Sequence, residues 1–134
     1  VMDMRSYDGI VRSWGHQIIA DCSFGDYQGD HVFFLKDEDG LYGWLVVGYG
    51  SCSGCDSLEA AWCHEYDYDA DAPTAVLELA KEMCSSVLWK PKGEMVEYLT
   101  TLARGEPIKF YSSDDEVTEF MLAMVTVMTG VVPT

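Results

Sequence analysis

The sequence predicts a single acidic α+β domain, spanning residues 1–134, in which a small antiparallel β-meander of three to four strands packs against three to four α-helices. Two observations predict this fold class. Short runs of β-branched and aromatic residues fill the first half of the chain, and apolar residues at three- and four-residue spacing fill the second half. We expect the helices to cover one face of the sheet, because amphipathic helices and a small sheet bury their apolar surfaces against each other.

The predicted strands come first along the chain. Three apolar runs indicate them: Ile18-Ile19, Val32–Leu35 and Trp44–Val47. Asp39-Gly40, between the second and third runs, is typical of a tight hairpin because glycine adopts positive φ without steric cost. Residues 25–30 form a longer polar link between the first two strands, and Tyr7–Val11 is the candidate for a fourth strand.

The predicted helices follow from Asp56 onward. The first has the apolar stripe of a helix that packs on a sheet, formed by Val76, Leu77, Leu79, Ala80, Met83, Cys84, Val87 and Leu88. The second stripe, which ends at Gly105, is formed by Met95, Tyr98, Leu99 and Leu102. The third helix begins with a capping box of Ser113 and Glu116 and directs inward Val117, Phe120, Met121, Met124, Val125 and Met128. Residues 107–111 are a candidate for one more short strand.

The last predicted helix is apolar nearly all round, since Leu122 and Val127 lie on other faces than its methionines. One face can cover the sheet. The other would be exposed in a monomer, which predicts a homodimer built through this helix. The nearly uncharged stretch 120–134 is shorter than the ~20 residues that span a bilayer, so we expect no transmembrane segment.

The charge of the chain is strongly one-sided. Its 23 Asp and Glu residues against 8 Lys and Arg residues give a formal net charge of −15 and a pI near 4.2. Between Lys36 and Lys81 there are ten acidic residues and no Lys or Arg. Phosphate groups repel such a chain, so the sequence argues against direct binding to nucleic acid or to an anionic membrane. It predicts a basic protein as the partner.

The five cysteines are Cys22, Cys52, Cys55, Cys63 and Cys84. Their odd number argues against a full disulfide framework, and the lack of a basic-then-apolar leader favours a reducing cytosol. Cys52 and Cys55 have the spacing of a zinc-ligand pair, which Cys22 or His31 from the sheet would have to complete. The alternatives are a redox pair beside a helix start, or a tight glycine turn under which small cysteines pack. The turn is favoured, so we expect no cofactor, with zinc as the alternative.

Two motifs carry a resemblance to a protein family. Residues 50–56 read GSCSGCD, and residues 26–30 read DYQGD. Together with the Tyr42-Gly43 strand that leads into Gly48-Tyr49-Gly50, they resemble a family of small uncharacterised bacteriophage proteins over residues 24–90. The resemblance implies phage or prophage origin and a site of action in the cytosol of an infected bacterium. It implies no catalytic role for any residue.

Residues 65–71 form a regular acidic stretch, which consists of Glu65, Tyr66, Asp67, Tyr68, Asp69, Ala70 and Asp71. In an extended chain the alternate carboxylates would lie ~6.6 Å apart on one face, a row that imitates a nucleic-acid strand. A calcium loop is an alternative, formed by Asp67, Asp69, Asp71 and Glu78, but Ala72 stands where an EF-hand loop requires glycine. A solvated loop is the third alternative.

The sequence therefore predicts a non-enzymatic interaction protein. Its acidic stretch, with Tyr66 and Tyr68, would bind a basic host protein that itself binds nucleic acid. The alternative is a phage protein that binds a metal or a small ligand through the Cys52–Asp56 loop, with Asp26 and Asp30 approaching from the strand link.

Overall fold

The computed structural model describes residues 6–25, 29–49, 57–62, 73–103 and 114–130. Along the chain its elements are α1 (Tyr7–Ser13), β1 (Gln17–Gly25), β2 (Gly29–Lys36), β3 (Tyr42–Tyr49), α2 (Ser57–Trp62), α3 (Thr74–Ser85), β4 (Leu88–Lys90), α4 (Lys92–Ala103) and α5 (Asp114–Thr129). The α+β class, with a small antiparallel sheet and packed helices, is confirmed.

The four strands form one antiparallel sheet in the order β1-β2-β3-β4. The turn between β2 and β3 is the predicted hairpin. The side chain of Asp37 organises it, because Oδ1 accepts hydrogen bonds from the backbone N–H of Asp39 at 3.0 Å and of Leu41 at 2.7 Å. Gly40 follows with φ +86°, a conformation that glycine adopts readily.

The prediction of a strand at Tyr7–Val11 is wrong, since these residues begin helix α1. Ser6 caps the helix, and its Oγ accepts a hydrogen bond from the N–H of Gly9 at 3.2 Å. Tyr7, Ile10 and Val11 share the three- and four-residue spacing of a helical face and are buried. A helix of seven residues is too short to show this spacing twice, which explains the misassignment.

The fourth strand is instead Leu88–Lys90, so the prediction that Leu88 belongs to a helix is wrong. Helix α3 ends at Ser85 with Ser86 as its C-cap, so Val87 and Leu88 do not continue its stripe. Leu77, also predicted to face inward, is 45% exposed. The remaining inward positions of α3 are confirmed, with Val76, Ala80, Met83 and Cys84 buried and Leu79 partly buried.

The prediction that helices cover one face of the sheet is wrong, because helices cover both faces. A first core cluster joins α1, α2 and α3 to one face and includes Ile10, Val11, Phe33, Leu35, Leu45, Leu58, Val76, Ala80 and Met83. A second core cluster joins α4 and α5 to the other face and includes Val32, Phe34, Trp44, Met95, Leu99, Val117, Met121, Met124 and Val125. The four consecutive residues Val32–Leu35 are all fully buried, which requires cover on both sides.

Helix α5 directs its predicted face inward. Val117, Met121, Met124, Val125 and Met128 are buried, and Phe120 packs against them. On the other face Val127 is 55% exposed, so the homodimer through this helix stays a prediction. Among the residues that the structure describes, no helix has the length and apolarity to cross a membrane.

Candidate functional site

Most of the site residues predicted from the sequence lie outside the described residues. This holds for the acidic stretch from Glu65 to Asp71 with Tyr66, Asp67, Tyr68 and Asp69, and for Cys52, Cys55, Asp26 and Asp56. It also holds for the candidate strand 107–111 and for Ser113. The described candidates are Asp30, the possible zinc ligands Cys22 and His31, and Glu78, which lies exposed on α3.

The strand ends that flank the other candidates meet at one end of the sheet. Gly25 pairs with Gly29, which pairs in turn with Tyr49. Residues 26–28 and 50–56 therefore continue from neighbouring points of the sheet. Asp30 lies one residue inside this end, opposite Gly48, and its Oδ1 is 4.0 Å from the point where a Cβ at position 48 would stand.

Further along β1 and β2 lies a polar pair that the sequence pattern does not predict. Nε2 of His31 lies 2.7 Å from Oδ2 of Asp21, at hydrogen-bond distance, across the β1–β2 ladder. The imidazole stacks on Phe33 with ring centroids 4.2 Å apart. The pair is thus held on the face of the first core cluster, and an aromatic ring fixes the imidazole from one side.

Cys22 lies on the opposite face from His31. It packs against the second core cluster, whereas His31 stacks on a residue of the first. A metal site completed from the sheet can therefore use only one of the two. Within the described ranges there is no group of three or more His, Cys, Asp or Glu side chains that could hold a metal ion.

Neither described cysteine is an activated thiol. Burial, followed by the charges of Asp21 and Glu116, raises the pKa of the Cys22 thiol. Burial alone raises the pKa of Cys84 to about 11. Because the thiolate is the reactive form of cysteine, both thiols are protonated and unreactive at neutral pH.

At the other end of the sheet, His16 is enclosed by an aromatic ring and a turn. Its ring packs edge-on against Trp89 with centroids 5.0 Å apart. Its Nε2 is buried and has no hydrogen-bond partner among the described residues. Burial lowers the pKa of His16, and the nearby charge of Asp37 opposes this shift in part.

The lowered pKa of His16 predicts a loss of stability in mild acid. As the pH falls below about 6.5, His16 binds a proton in the unfolded chain but stays neutral in the folded protein. The free energy of unfolding therefore decreases. Urea unfolding at a series of pH values measures this. The free energy of unfolding should begin to fall near pH 6.5 and should stop falling when His16 is protonated in the folded protein as well. The variant His16→Gln should lack this contribution to the pH dependence.

Asp37→Asn is the matched variant, because its amide oxygen can still accept the turn hydrogen bonds while the charge is lost. Without that charge the pKa of His16 should fall further, so the stability loss should extend to lower pH than in the wild type. A pH dependence that is the same in wild type, His16→Gln and Asp37→Asn would contradict the prediction.

None of the charged groups among the described residues is buried. Arg12 forms an ion pair with Asp8 at 2.6 Å, and His31 lies at hydrogen-bond distance from Asp21. Two of the few lysines lie over aromatic rings instead. Lys36 Nζ is 5.6 Å from the ring centroid of Tyr42, and Lys90 Nζ is 5.4 Å from that of Tyr98. With 23 acidic residues against 8 Lys and Arg residues, the chain keeps a formal net charge of −15 however these groups pair.

Comparison of the chain with protein-family models, with curated proteins and with solved structures found no match.

Proposed function

We propose that this protein is a phage-encoded acidic interaction protein that inhibits a host nucleic-acid-binding defence protein, such as a CRISPR effector or a restriction factor, by occupying its basic surface. The observation that supports this proposal is the negative charge of the chain. The formal net charge is −15, none of the described charged groups is buried, and two lysines lie over aromatic rings.

A basic groove that binds nucleic acid responds to the summed field of a partner surface. A single exposed ion pair contributes only about 0–1 kcal/mol, whereas many like charges together raise the association rate and the affinity. Inhibition by charge imitation therefore needs several carboxylates that are free to act together. Internal salt bridges would cancel that field, but 8 Lys and Arg residues cannot neutralise 23 acidic side chains.

The acidic stretch gives the direct test. Replacing Asp67, Asp69 and Asp71 together by Asn should weaken binding to a basic partner by about tenfold or more, because three like charges leave the contact at once. The partner is first captured from a nuclease-treated bacterial lysate on the immobilised protein, and its affinity is then measured at low and at high salt. The wild-type affinity should fall as salt rises.

The matched control removes the same number of charges elsewhere. Glu82 on α3 and Glu94 and Glu97 on α4 are exposed, and changing all three to Gln alters the net charge equally. This control should reduce affinity less than the Asp triple. If the affinity is insensitive both to salt and to the Asp triple, the acidic stretch is only a solubilising surface. Displacement of duplex DNA from the captured partner tests the inhibition itself.

The second candidate function is binding of a metal or small ligand by the Cys52–Asp56 loop. The observation that favours it is the meeting of Gly25, Gly29 and Tyr49, from which the Asp26 link and this loop both continue. His31 would be the sheet ligand that completes a zinc site, since its Nε2 is held by Asp21 and a metal-bound histidine commonly bonds a carboxylate in this way. Metal analysis of the purified protein, with Cys52→Ser and His31→Gln as variants, decides between the two functions.

A further inference from the structure

Strand β3 has a neighbour along its whole length on one side, but along only part of its length on the other. β2 pairs with it from Tyr42 to Tyr49, whereas β4 pairs only with Tyr42–Trp44. In the part of the chain that the structure describes, no strand lies against the other side of Leu45–Tyr49. We refer to Leu45–Tyr49 as the open edge. The backbone groups on such an edge form a template for one more strand.

Among the described strands, the sheet has free edges at β1, at β4 and at the open edge, and these differ in how they resist pairing. β4 has only three residues, the last of which is Lys90. β1 has a register shift between Ile18 and Ala20 and the exposed Asp21 near its middle, two features that oppose the addition of a strand. The open edge has neither feature, because its register with β2 is continuous and it contains no charged residue and no proline. Of the free edges among the described strands, it is therefore the one with the fewest features that oppose another strand.

Two positions of the open edge leave space for the side chains of an added strand. Val46 is 39% exposed although it is an apolar residue in a strand. At Gly48 an added Cβ would meet only Asp30 Oδ1 and the Gly29 carbonyl oxygen, both at 4.0 Å, among the described atoms. An incoming strand would find one apolar side chain to pack against and one residue without a side chain.

We propose that the open edge adds an extended basic segment of the protein's partner as a further strand. This inference rests on the proposed function, which supplies the basic partner. The charge of the whole chain, a formal net charge of −15, indicates the occupant. A second copy of the chain would bring a further charge of −15, whereas a basic segment is attracted. Main-chain hydrogen bonds supply the affinity, and packing on Val46 supplies selectivity.

The test uses two synthetic peptides of equal length and charge with the full-length protein. One alternates lysine with threonine and can form a strand, and the other alternates lysine with proline, which lacks the N–H groups that a ladder needs. The first peptide should bind about tenfold more tightly than the second. It should also slow amide hydrogen exchange in Leu45–Tyr49 and leave β1 unchanged.

Three other outcomes would contradict strand addition, its location or the electrostatic proposal. Equal affinity for the two peptides would reject strand addition and leave the electrostatic proposal standing. Binding of neither peptide would reject both. Protection of β1 in place of the open edge would reject the assigned location.

Two lysine variants separate the edge from the charge. Val46→Lys places a charge on the open edge, and Leu77→Lys places the same charge on α3, where Leu77 is 45% exposed. Val46→Lys should weaken binding of the lysine–threonine peptide by about tenfold, and Leu77→Lys should change it by less than about threefold. Equal effects of the two variants would contradict strand addition at the edge.

Discussion

Truncation of either Phe33 or Phe34 to alanine is expected to lower the free energy of unfolding by about 3–5 kcal/mol. The two residues are neighbours in β2, and both are fully buried. Phe33 lies in the first core cluster and stacks on His31. Phe34 lies in the second, where it stacks on Tyr42 at 5.4 Å and meets Trp44 edge-on at 6.4 Å. Each truncation opens a cavity on a different face of the sheet.

Urea unfolding followed by circular dichroism measures both losses. Val46→Ala in the neighbouring strand is the matched control, because Val46 is partly exposed, and it should cost less than about 1 kcal/mol. If helices covered only one face of the sheet, one of the two phenylalanines would be exposed. Its truncation would then lower the free energy of unfolding only slightly. A loss below about 1 kcal/mol for either variant would contradict the two-sided arrangement.

The parts of the fold that the sequence could predict depend on local signals. Asp39-Gly40 specifies its own turn, and the inward positions of α5 repeat at a period that only a helix produces. The run Val32–Leu35 indicates a strand, and it also bears on how many faces of the sheet the helices cover. Four consecutive apolar residues in a strand direct side chains to both faces, so the run itself indicates a sheet that is covered twice.

The Asp21–His31 pair could not be predicted, because it depends on an irregularity in β1. The register of β1 shifts between Ile18 and Ala20, so that Asp21 pairs with Phe33 and lies on the same face as His31. In a regular ladder starting from the Ile18–Leu35 pair, Asp21 would be opposite Val32 and would face the second core cluster. A shift of one residue moves a side chain to the other face, and no local sequence signal marks this bulge.

Gly43→Ala is expected to lower the free energy of unfolding by about 2 kcal/mol, because no room exists for the added methyl group. A Cβ at position 43 would lie 2.8 Å from Trp89 Cζ3 and 2.8 Å from Val87 Cγ1. Both side chains pack on the first core cluster, so neither can move without loosening it. Glycine is required here because the indole of Trp89 lies across β3 and reaches His16.

Gly48→Ala is the matched control in the same strand, since a Cβ there meets none of the described atoms closer than 4.0 Å. It should change stability by no more than about 0.5 kcal/mol. In the background Val87→Ala, one of the two clashes is absent, so the cost of Gly43→Ala should be smaller than in the wild type. Equal costs at positions 43 and 48 would show that the indole does not lie across the strand.

The variant Gly43→Ala should also change the pKa of His16. The ring of Trp89 packs 5.0 Å from the ring of His16, and burial is the main cause of the lowered pKa of that histidine. Displacement of the indole by the new methyl group would admit water to His16. The pKa of His16, followed by NMR of the imidazole protons, should then rise toward its usual value in Gly43→Ala and stay unchanged in Gly48→Ala. Since water that reaches the imidazole solvates its charged form, the acid-induced loss of stability should become smaller in the same variant.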